Sequence, residues 1–269
     1  MTFIIAELGV NHQGDLSLAK QLIDSAKACG ANACKFQTYK AELLEPPGER
    51  RDMLRRCQLS EADHVELKAH ADEKRIEFIS TPFDVDSLIF LRDDLKLKTI
   101  KIASGYLDND EMLEEANRGS HRLIVSTGMS RVGDIAKALK LVPRAKLLHC
   151  VSAYPAPIRE MNLRAIPVLA KMFGDRIGLS DHTLSFSVPF AAVALGACII
   201  EKHLTLDQNM DGPDHKASIM PKQFRAMVQG IREIEQALGT TDKAPQLSET
   251  HTAAMLAERK VWRENGYTR

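Results

Sequence analysis

The stretch "IGLSDHT" (Ile177–Thr183) is an apolar run that ends abruptly in a serine, an aspartate and a histidine, and "IIEKHLTLD" (Ile199–Asp207) repeats the design. Both runs are continuously apolar, which is typical of strands whose two faces are covered. Six similar runs precede them, and helical stretches with apolar residues spaced near 3.6 lie between the runs. Eight β units alternating with helices predict an α/β fold, a (β/α)8 TIM barrel.

A doubly wound open sheet is the alternative that the same alternation allows. The Gly-rich dinucleotide fingerprint of that fold is absent, and eight repeats favour closure into a barrel. We therefore predict one barrel domain over residues 1–240, followed by a linker and a short helical tail over residues 241–269.

Composition excludes several classes of function. The 269 residues carry 36 basic and 36 acidic side chains, so no long-range field for nucleic acid or an anionic membrane is expected. No apolar run approaches the roughly 18 residues that a membrane span needs. The N-terminus starts directly as a strand, so no signal peptide is predicted, and the five cysteines form no CxxC pair. These features predict a cytoplasmic protein with reduced cysteines.

Polar side chains concentrate at the carboxyl ends of the predicted strands, where barrel active sites lie, and His149, Asp181 and Lys202 belong to this set. His182 and His203 end consecutive strands, so they should be neighbours, and carboxylates such as Glu7 and Glu201 should lie near them. Two imidazoles beside carboxylates favour a divalent metal over a hydrogen-bonded core pair. The residues alone leave Mn, Fe, Co and Zn open.

Lys35 and Lys101 stand between apolar neighbours, where a buried charge is costly unless it has a partner. Two ammonium groups with nearby hydroxyls suit a ligand that carries phosphate and carboxylate. A Schiff base on one lysine is the alternative, because barrel aldolases use such a residue.

Nine stretches, taken together and in order, resemble the sialic acid synthase (N-acetylneuraminate synthase) family. They are "IAELGVNHQGDL", "KFQTY", "FISTPFD", "KIASG", "VSTGMS", "LLHCVSAYPAP", "GLSDHT", "EKHLTLD" and "GPDHKAS", within about residues 3–240. The resemblance implies a metal-dependent enzyme that condenses phosphoenolpyruvate with an aldose. In that family the aldose is an N-acetylated aminosugar such as N-acetylmannosamine. The product would be a 2-keto-3-deoxy sugar acid, with release of phosphate.

The resemblance also implies roles for individual residues. His182 and His203 would bind the metal, Mn2+ or Mg2+ in the family. The remaining residues fall into two groups. The catalytic group is Glu7, Tyr154 and Asp214, and the substrate-binding group is Lys35, Gln37, Thr81, Lys101, Ser104, Ser126, Ser152 and Ser180.

Two departures fall on the acceptor side of the reaction. The family usually carries a C-terminal antifreeze-like domain, which we expect to be absent from this chain or supplied by a separate protein. Tyr106 stands where many relatives have a glutamate that contacts the acceptor.

The insertion at residues 39–58 is a candidate flap over the barrel mouth. A homodimer is implied by the family, and a Schiff-base pyruvate aldolase and a non-catalytic barrel subunit are the alternative functions.

Overall fold

The computed structural model describes residues 1–266 and confirms the predicted TIM barrel. Eight parallel strands pair in chain order and close on themselves through β1 and β8. The strands are β1 (Phe3–Gly9), β2 (Ala33–Thr38), β3 (Glu77–Pro82), β4 (Thr99–Ile102), β5 (Arg122–Ser126), β6 (Lys146–Cys150), β7 (Ile177–Asp181) and β8 (Ile199–His203).

Helices follow the strands along the chain. They are α1 (Leu16–Ala28), α2 (Ala41–Leu44), α3 (Glu49–Cys57), α4 (Glu61–Glu73), α5 (Val85–Ile89), α6 (Asp110–Ala116), α7 (Val132–Leu141), α8 (Ala165–Phe173), α9 (Ser187–Ala194), α10 (Pro221–Leu238) and α11 (Thr250–Glu264). Local sequence sets several starts: the Asp15 carboxylate accepts from the backbone of Ser17 and Leu18, and Ser60 with Asp63 forms a capping box. None of the helices described is long and apolar enough to cross a membrane.

The chain divides into two compact units, residues 1–237 and residues 238 onward. The first holds the barrel. In the second, α11 supplies the predicted short helical tail. The tail was predicted to run to residue 269, and its last three residues lie outside the described residues.

Two apolar layers arise from the alternation of side chains along each strand. In β1, Ile4, Ala6 and Leu8 belong to the large cluster shared with the helices, whereas Ile5 joins a smaller cluster with residues such as Ile79. The smaller cluster fills the barrel interior. Residues in phase with Ile5 therefore point into the barrel, and the next one along β1 is Glu7.

Lys202 and Asp181 have the opposite phase and pair with each other on the helix side of the sheet. Their Nζ and Oδ2 atoms are 2.5 Å apart, and both side chains are fully buried. Lys202 also donates to the carbonyl of Thr183, and that of Ser185 is 3.4 Å away. Sequence analysis grouped these two residues with the strand-end site residues, and the structure corrects that grouping: this ion pair fastens the β7–α9 connection to β8.

Lys202→Met should lower the free energy of unfolding by about 3–5 kcal/mol, because it leaves the buried Asp181 carboxylate without a partner. Urea denaturation followed by circular dichroism measures the loss. Lys68→Met is the matched control: its partner Asp72 is largely exposed, so about 1 kcal/mol or less should be lost. Equal losses in the two variants would show that the buried ion pair contributes no more to the free energy of unfolding than the exposed pair does.

Candidate active site

A cavity of about 240 Å3 opens at the carboxyl ends of the strands, and we call it the mouth cavity. The structure brings all thirteen predicted site residues to its wall. They are Glu7, Lys35, Gln37, Thr81, Lys101, Ser104, Ser126, Ser152, Tyr154, Ser180, His182, His203 and Asp214. Their placement is thus a structural fact, while their roles stay predictions.

Strand register sets the level at which these side chains meet. Glu7 lies beside Lys35 of β2 and beside His203 of β8, and Ser180 lies beside Glu201. Parallel pairing therefore carries residues that are far apart in the chain into one layer at the top of the barrel.

Four charged side chains form a buried network in this layer. Lys35 Nζ lies 2.6 Å from Glu7 Oε2 and 3.7 Å from Glu201 Oε2, and Lys101 Nζ lies 3.8 Å from Glu201 Oε1. All four are at most 5 % exposed. From the sequence we expect an anionic ligand as the partner of the two lysines. The structure shows that each is already near a glutamate.

The two glutamates differ in their affinity for a proton. Burial raises the pKa of Glu7 to about 7, and the charge of Glu201 adds to that rise, although Lys35 opposes it. Burial acts on Glu201 in the same direction, but Lys101 and Lys35 outweigh it and lower the pKa of Glu201. Near neutral pH, Glu201 is therefore ionised, and Glu7 gains or loses a proton easily.

Hydroxyl groups hold the lysines in place. Lys35 Nζ donates to Thr81 Oγ1 at 3.0 Å, and Lys101 Nζ donates to Ser126 Oγ at 2.6 Å. Ser180 Oγ donates to Glu201 Oε1 at 2.8 Å. These contacts orient both ammonium groups at the cavity wall.

A cluster of small residues lies beside Lys101. The backbone N–H of Gly128 donates to Ser104 Oγ at 3.0 Å. A Cβ atom at Gly128 would lie 2.3 Å from Ser152 Oγ and 2.9 Å from Ser104 Oγ, closer than real contacts allow. Only glycine at this position lets both hydroxyls reach the cavity together.

The two predicted metal-binding histidines are neighbours, with ring centroids 5.6 Å apart. Burial lowers the pKa of His182 to about 4 and that of His203 to about 3, so both rings are neutral near pH 7. The Nδ1 atom of His182 lies 2.7 Å from the carbonyl of Val151, a contact that leaves the lone pair on Nε2. In His203, Nδ1 is buried without a hydrogen-bond partner among the described residues.

These histidines fit a metal ion held by two protein ligands. Within residues 1–266, no group of three or more His, Cys, Asp or Glu is arranged to enclose one. The nearest carboxylate oxygen to His203 Nδ1 is Asp214 Oδ2, at 3.8 Å. An ion here would take its other ligands from water or substrate, as open catalytic sites do.

Three predicted residues complete the wall. Tyr154 packs its ring against His182, with centroids 4.2 Å apart, and is 53 % exposed. Gln37 lies with its Nε2 atom 3.5 Å from Glu7 Oε1. Burial raises the pKa of Asp214.

Several lining residues were missed by sequence analysis. Phe83, Ala103, Gly105, Met129 and Cys150 also line the cavity, and so does Glu201, which was expected near the two histidines. For β6, sequence analysis placed His149 at the site, which is wrong: its Nε2 lies 2.7 Å from the carbonyl of Met161, on the helix side. The period of two along β6 puts Cys150 in the cavity instead.

The insertion at residues 39–58 contributes none of the described residues that line the mouth cavity. It forms α2 and α3 and packs in a small cluster of its own that includes Val10 and Leu54. Tyr39 touches the ring of Phe83, which does line the cavity, and Phe83 in turn meets Tyr106. The contact between Tyr39 and Phe83 therefore joins the insertion to the cavity wall.

Comparison with known proteins matches residues 22–243 to the model of the NeuB family. The chain belongs to the NeuB family. It is 43 % identical over 270 residues to the N,N'-diacetyllegionaminic acid synthase of Campylobacter jejuni, covering 92 % of this chain and 80 % of that protein. It is 36 % identical to the human N-acetylneuraminate-9-phosphate synthase, covering 90 % of this chain and 72 % of that protein.

A solved structure agrees with this family assignment. The crystal structure of an N-acetylneuraminic acid synthetase from Leptospira borgpetersenii, in complex with citrate, matches with a TM-score of 0.88 and 36 % identity. The match covers all of this chain and 93 % of that one. The resemblance to sialic acid synthases that the nine motifs indicated is therefore confirmed, together with the barrel of this NeuB-family chain.

Glu201→Gln should destabilise the protein by about 3–5 kcal/mol at pH 7, because it leaves Lys35 and Lys101 with too little negative charge in a buried layer. Glu7→Gln should cost far less, because a carboxyl group whose pKa is about 7 is readily neutralised at that pH. Urea unfolding of the two variants makes the comparison. If Glu7→Gln costs as much as Glu201→Gln, the assignment of charge states is wrong.

Proposed function

We propose that this chain condenses phosphoenolpyruvate with an aldose to give a 2-keto-3-deoxy sugar acid and phosphate. The observation that carries the proposal is the buried Lys35–Glu7–Glu201–Lys101 network beside two neutral imidazoles in one cavity. The names of the similar synthases support the same reaction class. The acceptor that we favour is an N-acetylated aminosugar such as N-acetylmannosamine.

Charge balance explains why a cation belongs in this site. Within the network two ammonium groups offset Glu201 and, when it is ionised, Glu7, so at most one positive charge is left for a ligand that carries both phosphate and carboxylate. A divalent ion on His182 and His203, Mn2+ or Mg2+, would supply the missing charge and would polarise the acceptor aldehyde.

Phosphoenolpyruvate would bind through the lysines and hydroxyls of the wall. Lys101, held by Ser126, and Lys35, held by Thr81, would lie against its anionic groups. The hydroxyls of Ser104 and Ser152 beside Gly128 would donate to the same oxygens. Donors fixed before the ligand arrives need little reorganisation during the reaction.

The condensation requires a proton-accepting side chain in a site that contains little water. The C2–C3 π electrons of phosphoenolpyruvate form the new bond to the aldehyde carbon, and the aldehyde oxygen gains a proton. Water adds at C2 and loses a proton, and the C2–O bond then breaks to release phosphate. Glu7 would give a proton to the aldehyde oxygen and take one from the adding water, since its pKa of about 7 suits both steps of such a transfer. The remaining hydroxyl proton at C2 would leave with phosphate as the C2 carbonyl forms.

The acceptor would contact the less polar groups of the mouth. Phe83, Met129 and Tyr154 are among the lining residues, and Met129 and Tyr154 are 77 % and 53 % exposed. Apolar and aromatic groups of this kind suit the carbon faces and acetyl methyl groups of an N-acetylated sugar. Asp214 and Gln37 would hydrogen-bond its hydroxyl groups.

A Schiff-base pyruvate aldolase is the second candidate, because burial lowers the pKa of Lys101 and so favours the neutral amine. Borohydride with pyruvate would trap such an enzyme covalently. The homodimer, the cytoplasmic location and a separate antifreeze-like partner stay predictions.

Phosphate release from phosphoenolpyruvate, measured against a panel of aldoses with Mn2+, tests the proposal directly. We expect release to depend on an N-acetylated aldose and to stop after dialysis against a chelator. His182→Ala and His203→Ala should each weaken Mn2+ binding, as measured by titration calorimetry, whereas His149→Ala should not, since that ring lies outside the cavity. Covalent trapping by borohydride, or no release with any aldose, would contradict the proposal.

Gly128→Ala should raise the Kd for phosphoenolpyruvate at least about tenfold, because the new methyl group displaces Ser104 and Ser152 from their positions. Gly105→Ala is the matched control: it lines the same cavity, yet a Cβ there meets nothing within 4 Å. Titration calorimetry without acceptor compares the two. A similar Kd in both variants would place the anion elsewhere in the molecule.

A further inference from the structure

A second cavity of about 260 Å3 lies at the opposite, N-terminal end of the barrel. We call it the basal cavity. The first residues of five strands line it, namely Phe3 of β1, Thr99 of β4, Arg122 of β5, Lys146 of β6 and Ile199 of β8. It is as large as the mouth cavity, of about 240 Å3, and shares no lining residue with it. The proposed synthase reaction assigns it no role.

The basal cavity has a cationic rim. Arg122, Arg144 and Lys146 line it, and its lining contains no carboxylate. Arg122 is neutralised by Glu77, whose Oε1 lies 2.6 Å from Nη2. Arg144 and Lys146 have no ion-pair partner within residues 1–266. Two unneutralised cations at one opening favour an anionic ligand.

His121 adds an unused hydrogen-bonding group to this rim. Both of its ring nitrogens are buried without a well-formed hydrogen bond among the described residues, although the backbone of Ala116 lies near the ring. A buried polar group without a partner costs free energy that a ligand can recover. Asn117 and Ser120, which also line the cavity, offer further polar contacts.

The inner surface of the basal cavity is apolar. Ile124 and Ile199 belong to the cluster that fills the barrel interior, and Phe3 packs against that cluster. Leu123 and Ala145 complete the apolar lining. A ligand that matches both parts needs an apolar body inside and an anionic group at the rim.

We propose that the basal cavity is a second ligand site, which takes a small molecule with an anionic head group and an apolar or aromatic body. Arg144, Lys146 and His121 would bind the head group, a phosphate monoester or a carboxylate. Phe3, Ile124 and Ile199 would contact the body. A cavity of about 260 Å3 limits the ligand to about the size of a substituted ring.

Methyl NMR of the intact protein, labelled at isoleucine δ1 and methionine ε positions, tests this site with phenyl phosphate as the probe. Ile124 and Ile199 report on the basal cavity, and Met129 reports on the mouth cavity. We expect saturable shifts of Ile124 and Ile199 whether or not Met129 responds. Phenol, which has the same body without the charge, should bind at least about tenfold more weakly.

The variant Arg144→Ala/Lys146→Ala should weaken the binding of phenyl phosphate at the basal cavity at least about tenfold. The control Lys140→Ala/Lys171→Ala removes the same net charge from exposed positions on α7 and α8 and should leave that binding unchanged. Unchanged isoleucine resonances outside the basal cavity, recorded without probe, show that each variant is folded. The proposal is overturned if the probe does not shift Ile124 and Ile199, if both double variants bind alike, or if phenol binds as well as phenyl phosphate. None of these outcomes depends on the synthase reaction.

Discussion

Two lysines and two glutamates share one end of the barrel, where little water reaches them, and they must neutralise one another. Lys35 and Lys101 are only tolerable there because Glu7 and Glu201 stand within ion-pair distance. Those carboxylates arrive from β1 and β8, the strands whose pairing closes the barrel. The strand pairing that closes the barrel therefore also brings the neutralising carboxylates to the site.

This mutual neutralisation also separates the roles of the two glutamates. Glu201 lies near both ammonium groups and accepts from Ser180, so it remains an anion. Glu7 contacts Lys35 but is buried beside the negative charge of Glu201, so it keeps its proton up to a pH of about 7. One structural carboxylate and one exchangeable carboxylate therefore arise from the same network. The neutral rings of His182 and His203 complete a site that has room for added positive charge.

The barrel and much of the mouth cavity could be predicted from sequence, because continuous apolar runs with polar ends mark strands that are buried on both faces. The same continuity hid the phase of each strand. Where both faces are apolar, alternation does not show which residue points inward, and so His149 was placed in the site instead of Cys150. Lys202 and Asp181 were grouped with the site for the same reason, although they pair on the helix side.

Other features depend on loop conformation and on empty space, which sequence patterns do not report. Met129 reaches the mouth cavity from a backbone with φ of 63°, a conformation that its residue type does not suggest. The basal cavity exists because the side chains at the strand starts leave a void, and a void has no sequence signature. The Gly128 contact likewise depends on three loops meeting.

Carbon-13 NMR of the side-chain carboxyl groups, in metal-free protein labelled at glutamate, tests the charge network most directly. Glu7→Gln and Glu201→Gln identify the two resonances. The account predicts that Glu7 titrates with an apparent pKa near 7, so that it is protonated below and ionised above that pH, while Glu201 stays ionised at pH values well below its ordinary range. A Glu7 resonance that titrates near its ordinary value of 4.5, or a Glu201 that titrates above Glu7, would contradict it.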